Sequence, residues 1–371
     1  MPVVLHWFLP TTGDSRSIVG VDDRGGRSTH TDPLSEQKLR EPDIEYLIDV
    51  ARAAERCGFT GVLTPTGTWC EDAWLTTAAI AQHTRTLKFL VAFRPGSLSP
   101  TLAAQMAATF QRISGGRLML NIVTGGDAAE QQRFGDWLDK DQRYERTGEF
   151  LSVVRGAWNG PYDFDGKHYQ VAGALAPRRF EQPPIYFGGS SPAALEVAAE
   201  HTDVYLTWGE PPAAVASKIA AVRALSSREI RFGIRLHVIT RDTSEEAWAV
   251  ARSMLDALTP EQIEKAQSSL GKADSVGQQR MLALHGGTLD GLEIYPNLWA
   301  GIGLVRPGAG TALVGSHTEV ADRIAEYHDL GIDEFILSGY PHLEEAYHAG
   351  EGLIPELRRR NLLASSSSQE N

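Results

Sequence analysis

Cysteine is almost missing from this chain: Cys57 and Cys70 are the only two in 371 residues. Two thiols cannot build a disulfide framework or, by themselves, a zinc site. No group of His, Cys, Asp and Glu shows metal-ligand spacing either, so no metal is expected. Long apolar runs are lacking too, and none approaches the length of a membrane span. The start, MPVVLHWFLP, has no basic region of the signal-peptide kind, so the expected location is cytoplasmic. Positive charge is in deficit, with 35 Lys and Arg against 47 Asp and Glu and a net charge of −12. That argues against nucleic acid or an anionic membrane as a partner. An anionic ligand would have to be held by a local group of arginines working against the overall field, which makes placed arginines informative.

What the chain has is alternation. The composition, 42% hydrophobic and 22% charged, is that of a soluble globular protein, long enough for one large α/β domain or two average ones. Strand patterns occur at VVLHWF (3–8), FTGVLTP, LKFLVAF (87–93), LMLNIVTG (118–125), PIYFGGS (184–190), VYLTWG (204–209), RFGIRLHVIT (231–240) and EFILSGY (334–340). Helical periodicity separates them, at about 42–58, 71–83, 100–113, 143–158, 192–200, 212–224 and 317–330. Eight βα units in a chain of this size predict a TIM barrel, an α/β fold. An open doubly wound sheet is the alternative, but no GxGxxG follows the first strand. A single domain is expected over 1–360, with loop insertions near 11–41, 160–177 and 241–310, and a flexible polar tail at 361–371. The 160–177 insertion carries hairpin signals, and 241–310 holds two or three helices followed by a glycine-rich stretch.

The most informative stretch is RFGIRLHVIT. Alternate residues of a strand face opposite ways, so Phe232, Ile234, Leu236 and Val238 make an oily face while Arg235 and His237 share the other. Barrel strands are normally covered on both faces. An inward cation and imidazole therefore need a partner or a ligand; a structural arginine bonded to backbone carbonyls is the other reading. TIM-barrel active sites lie at the C-terminal strand ends. Those ends carry Trp7; Thr66, Trp69 and Cys70; Arg94; Asn121 and Thr124; Gly188, Gly189 and Ser190; Trp208 and Glu210; Arg235 and His237; and Tyr340 and His342. GGSSPAAL at 188–195 could present backbone amides and a helix N-terminus to a phosphate, with Ser190 or Ser191 as cap. Glu71 and Asp72 beside Cys70 should raise its pKa and make it a poor nucleophile. With no triad and no metal cluster, the chemistry is expected to reside in an organic cofactor.

PTGTWCEDAW, RLHVI, LVRPGAGTALVG and SGYPHLEEAY resemble the flavin-dependent alkanesulfonate monooxygenases of the bacterial-luciferase-like superfamily. The resemblance runs from HWFLPTTGD to the C-terminal helix. It implies a TIM barrel that uses reduced FMN, supplied by a separate NAD(P)H-dependent flavin reductase, and O2 to cleave a carbon–sulfur bond, releasing sulfite and an aldehyde. A homo-oligomer, dimer or tetramer, is expected. The resemblance places the catalytic set on Arg235, His237, Arg306, Tyr340 and Cys70. Arg235 and Arg306 would hold oxyanion charge, while His237 and Tyr340 would supply hydrogen bonds or protons. Trp208, Trp69 and Asp22 are the expected substrate-binding residues, and Trp7, Thr124, Tyr144, Gly188, Gly189 and Ser190 the expected cofactor-binding ones.

Two departures concern the substrate. The family's TGRSCED reads TGTWCED here, which brings in Trp69, and the first loop is longer, with Asp22 near the place of a family glutamate. Both leave room for a bulkier or polyhydroxylated sulfonate such as sulfoquinovose. A deazaflavin (F420)-dependent oxidoreductase of the same superfamily and a non-catalytic flavin-binding protein are the alternatives. The glycines between about 270 and 310 predict a mobile lid that carries Arg306 to the pocket.

Overall fold

The computed structural model describes residues 1–18 and 40–364. Eight parallel strands form a closed ring: β1 (Val4–Phe8), β2 (Gly61–Thr64), β3 (Lys88–Phe93), β4 (Leu118–Ile122), β5 (Ile185–Gly188), β6 (Val204–Trp208), β7 (Arg231–Arg241) and β8 (Glu334–Ser338). Pairing of β8 with β1 through Val4↔Glu334 closes it, so the fold is a TIM barrel and not an open doubly wound sheet. Helices follow the strands, opened by side-chain caps: Asp43 on Ile44–Cys57, Ser99 on Pro100–Ser114 and Ser191 on Pro192–His201. The helix expected from about 143 starts earlier, at Lys140, because Asp139 and Gln142 form a reciprocal capping box.

Strand alternation divides the core in two. Outward residues such as Phe232, Ile234, Leu236 and Val238 are fully buried between the barrel and its helices. Inward residues form an apolar layer of Leu63, Leu90, Met119 and Ile336 inside the barrel. Below that layer, toward the N-terminal strand ends, Glu334 is buried and accepts hydrogen bonds from Tyr186 (2.7 Å) and Arg231 (2.5 Å) and contacts His6 Nε2 (3.0 Å). A buried carboxylate needs such partners. The barrel is therefore filled at this end by buried polar groups, and a cavity opens at the other.

β7 is eleven residues long and overhangs the ring. Gly209 N–H donates to the Arg235 carbonyl, and the next residue of the same edge, His237, donates its N–H to Thr311. Where β6 stops, Ala312–Ser316 takes over that edge in parallel, and Leu298–Trp299 and Glu293–Tyr295 extend it antiparallel. With the helices Ser244–Asp256, Pro260–Leu270 and Val276–His285 these strands cap the mouth of the barrel over a second apolar cluster that includes Ile239, Met254, Trp299 and Leu304. The 160–177 insertion is the expected hairpin, Tyr162–Asp165 against Gln170–Ala174. Among the described residues no helix is long and apolar enough to cross a membrane.

Candidate active site

A cavity of about 450 Å³ opens at the C-terminal strand ends, a size that suits a cofactor or drug-sized ligand. Every barrel strand or the turn after it reaches its wall, and Val276–Gln278 and Arg306–Ala309 of the cap close over it. Two polar stations stand out.

The first lies after β5. Gly188, Gly189 and Ser190 line the cavity ahead of the helix Pro192–His201, whose N-cap Ser191 accepts from the Ala194 N–H at 3.3 Å. The capping residue is thus Ser191, which frees Ser190 to face Tyr205. Gly189 is required by space: a Cβ there would stand 2.5 Å from the Ala194 Cβ and 3.3 Å from the Tyr144 hydroxyl. The Tyr205 hydroxyl fixes this turn by donating to the Gly189 carbonyl. Burial raises the pKa of both Tyr144 and Tyr205, so both remain neutral donors. Backbone amides at a helix N-terminus, two serines and two tyrosines together suit a phosphate.

The second station lies between β7 and β8, brought together by their inward faces. Arg235 donates through Nη1 to the carbonyls of Leu236 (2.7 Å) and Ile336 (3.4 Å), and through Nη2 to Ser338 Oγ (2.8 Å). The reading of an arginine bonded to backbone carbonyls therefore holds. The guanidinium is anchored on carbonyls, and of its five donors the Nε–H and one Nη2–H remain without a partner among the described residues. Burial lowers its pKa to about 10, which leaves it cationic at neutral pH, 4.8 Å from the centre of the Phe8 ring. His237 contacts the Ala309 carbonyl through Nε2 (2.9 Å) and Ser338 Oγ through Nδ1 (2.7 Å). A carbonyl only accepts, so Nε2 carries the proton and Nδ1 accepts from the Ser338 hydroxyl. Burial first, and then the neighbouring Arg235, hold the His237 pKa well below its ordinary 6.5. The ring is a neutral, fully engaged spacer stacked on Tyr340, centroids 5.3 Å apart. Arg306 reaches the same point from the cap: its guanidinium lies 5.0 Å from the centre of the Tyr340 ring, and Nε donates to the Ile18 carbonyl at 2.9 Å.

The structure thus brings Arg235, His237, Arg306 and Tyr340 together, and places Trp69, Trp208, Thr124 and Tyr144 on the cavity wall with the Gly188–Ser190 turn. Two side chains lie elsewhere than expected. Trp7 does not reach the cavity: odd residues of β1 point outward, and its indole is fully buried against Phe59 and donates to the His342 carbonyl. Its neighbour Phe8 lines the wall instead. Cys70 is absent from the wall, turned onto the carbonyls of Pro65 (3.8 Å) and Gly67 (3.7 Å). Its pKa is pushed up to about 12, in the expected direction, but chiefly by burial, with Glu130 rather than Glu71 or Asp72 as the acidic contributor. Asp22 lies outside the described residues. The segment 270–310 holds regular structure in its glycine-rich stretch. It forms helix Val276–His285 and the cap strands, and its glycines serve close packing: a Cβ on Gly310 would stand 2.5 Å from the Gly303 Cα. Arg306 is already seated, 5% exposed.

Residues outside the expected catalytic and binding assignments also shape the site. Ser338 links Arg235 to His237, and inward parity on β8 would have found it. Arg94, at the end of β3, pairs with Glu130 at 2.8 Å. Lys218 reaches Glu210 at 2.5 Å and Thr207 at 2.7 Å. No sequence spacing announces either pair.

The sequence profile of the luciferase-like monooxygenases matches residues 8–334. Among solved structures, a riboflavin lyase with modified FMN and riboflavin superposes with a TM-score of 0.78 at 19% identity, covering 98% of this chain and 93% of that one. A long-chain alkane monooxygenase gives 0.76 at 19% identity, with 99% and 93% covered. The EDTA monooxygenase of Chelativorans sp. BNC1 gives 0.73 at 20% identity, with 98% and 95% covered. At these identities the superpositions speak for the fold, while the profile spans most of the chain. The chain belongs to the luciferase-like monooxygenase family.

Proposed function

We propose that the chain is a monooxygenase that uses FMNH2 and O2 to cleave the carbon–sulfur bond of an organosulfonate, a sugar sulfonate in preference to a simple alkyl one. The observation that carries this reading is the β7–β8 station. Arg235 and Arg306 converge there around a neutral His237, in a chain whose overall charge is −12. Planar guanidinium groups match an oxyanion such as sulfonate in charge and geometry. The Gly188–Ser191 turn with Tyr144 fits the phosphate of a flavin mononucleotide, and the cavity fits the remainder. Bound there, the reduced cofactor with O2 supplies the oxygenation of the carbon that carries sulfur.

The protein's own part is to bind and orient. Arg235, held by three bonds, presents its remaining donors at a fixed position, so little reorganisation accompanies charge movement in the substrate. Ser338 and His237 keep that guanidinium from turning. Trp208, packed under Gly277 of the cap, and Trp69 wall the organic part of the substrate, and the cap excludes water. In the net reaction one oxygen atom enters the aldehyde, the other leaves in water, and the sulfonate leaves as bisulfite. Because a diffusible reduced flavin must be supplied, a separate NAD(P)H-dependent flavin reductase is the proposed partner. A screen for sulfite release with FMNH2 across alkyl, aryl and sugar sulfonates tests the reading. Flavin oxidation without sulfite from any of them would overturn it.

A further inference from the structure

His342 opens the helix after β8, and its ring is held unlike that of His237. Its backbone N–H donates to Asp14 Oδ2 at 2.6 Å, and its Nδ1 lies 2.9 Å from Asp14 Oδ1. Asp14, after β1, is 1% exposed and also accepts from the Tyr46 hydroxyl. Burial alone would raise the Asp14 pKa, but attraction to His342 and the hydrogen bonds from His342 and Tyr46 outweigh it and hold the carboxyl below its usual range. An ionised carboxylate only accepts, so Nδ1 carries a proton and donates to Asp14, and in the neutral ring Nε2 is the basic nitrogen. His342 lines the cavity, and its Nε2 makes no hydrogen bond among the described residues. The ring lies between Phe8 (centroids 5.5 Å apart) and Tyr340 (5.2 Å, edge-on), beside the β7–β8 station. Charged and titratable groups around it include Asp14 from the β1 turn, Tyr340 from its own loop and His237 on β7, and Arg235 and Arg306 act on the same His237.

We infer that Asp14 and His342 form the general-base pair of this site, with His342 Nε2 taking the proton whose loss expels sulfite. This rests on the sulfonate reading above. Oxygenation of the carbon next to sulfur leaves that carbon carrying both a hydroxyl and a sulfonate, which is chemically an aldehyde–bisulfite adduct. Nε2 takes the hydroxyl proton, the O–H electron pair becomes the second C–O bond, and the C–S bond breaks with its electrons to sulfur. The products are aldehyde, sulfite dianion and a protonated His342. His237 cannot serve in this role, because its Nε2–H is committed to a carbonyl and its Nδ1 to Ser338. Asp14 fixes the tautomer and offsets the positive charge that forms, and a positioned base of this kind accelerates a step by about 10²–10⁴-fold.

The step needs neither flavin nor oxygen, so the full chain alone can be tested on the bisulfite adduct of glyceraldehyde, following trapped sulfite from pH 5 to 9. The expected result is adduct breakdown that slows on acidification, falls at least about 100-fold in His342→Gln, and falls about tenfold or more in Asp14→Asn. Fluorescence titration with FMN reports whether each variant keeps its cavity; should His342→Gln lose it, Asp14→Asn decides. No acceleration by the wild type, or an unchanged rate and pH profile in a variant that still binds FMN, overturns the inference. If adduct breakdown holds but no sulfonate yields sulfite with FMNH2, the sulfonate reading fails separately.

Discussion

Arg306→Lys is the substitution that separates charge from shape. Lysine keeps the cation but loses the Nε bond to the Ile18 carbonyl at 2.9 Å and the planar group 5.0 Å from the Tyr340 ring centre. A hydrogen bond from a charged donor contributes about 1.5–3 kcal/mol, and a desolvated cation–π contact about 1–2 kcal/mol. A lysine in the same space recovers part of both, so the net loss is about 2–3 kcal/mol. If that loss falls on the transition state, kcat/KM for sulfite release drops about 30- to 150-fold. The phosphate turn after β5 is a separate part of the wall, so FMNH2 affinity should stay within about threefold (about 0.7 kcal/mol) of wild type. The assay pairs initial rates of sulfite release with anaerobic fluorescence titration of reduced FMN. Wild-type kcat/KM in the variant, or a loss of flavin affinity equal to the loss of kcat/KM, would refute the assignment of Arg306 to the substrate.

Gly189→Ala should weaken FMN binding at least about tenfold while leaving riboflavin little changed, because the added Cβ intrudes only on the phosphate turn; comparative fluorescence titration checks this. Cys70→Ala should retain activity within about threefold (about 0.7 kcal/mol), since a half-buried thiol with a pKa pushed up to about 12 supplies no thiolate at neutral pH; a loss of two orders of magnitude would restore Cys70 to the chemistry. Thermal stability should decline in two stages on acidification, followed by melting at stepped pH. Folded His237 refuses the proton that an unfolded histidine takes below about 6.5, so its contribution to stability falls from there. Glu334, where burial is outweighed by the His6 hydrogen bond and the charges around it, has its folded pKa below 4.5, so its contribution is present above 4.5 and is lost as pH falls through the lower folded value. A sugar sulfonate should show higher kcat/KM than octanesulfonate under one flavin supply, and a clear preference for octanesulfonate would assign Trp69 to an alkyl pocket.

The barrel was legible because its signal is periodic. Eight strands with helices between them leave few alternatives, and all eight fall where the alternation puts them. The β7 face was equally plain, since Arg235 and His237 interrupt one side of an otherwise apolar strand. The same parity turns Trp7 outward on β1 and Ser338 inward on β8. The cap was less legible. Ala312–Ser316 is a strand only because β7 overhangs the ring and offers it an edge, which is a tertiary fact. Asp14 sits in a turn, where aspartate is ordinary, and only the fold brings it to His342, 328 residues away in sequence.

The central claim is tested most directly by one stoichiometry. The full chain is mixed with chemically reduced FMN, O2 and a sugar sulfonate such as sulfoquinovose, and sulfite and flavin oxidation are measured together. The account predicts sulfite only when all three are present, up to one per reduced flavin, with wild-type rates at least about 100-fold above those of Arg235→Ala. Complete flavin oxidation without sulfite from sugar, alkyl or aryl sulfonates, or the same yield from Arg235→Ala, would contradict it.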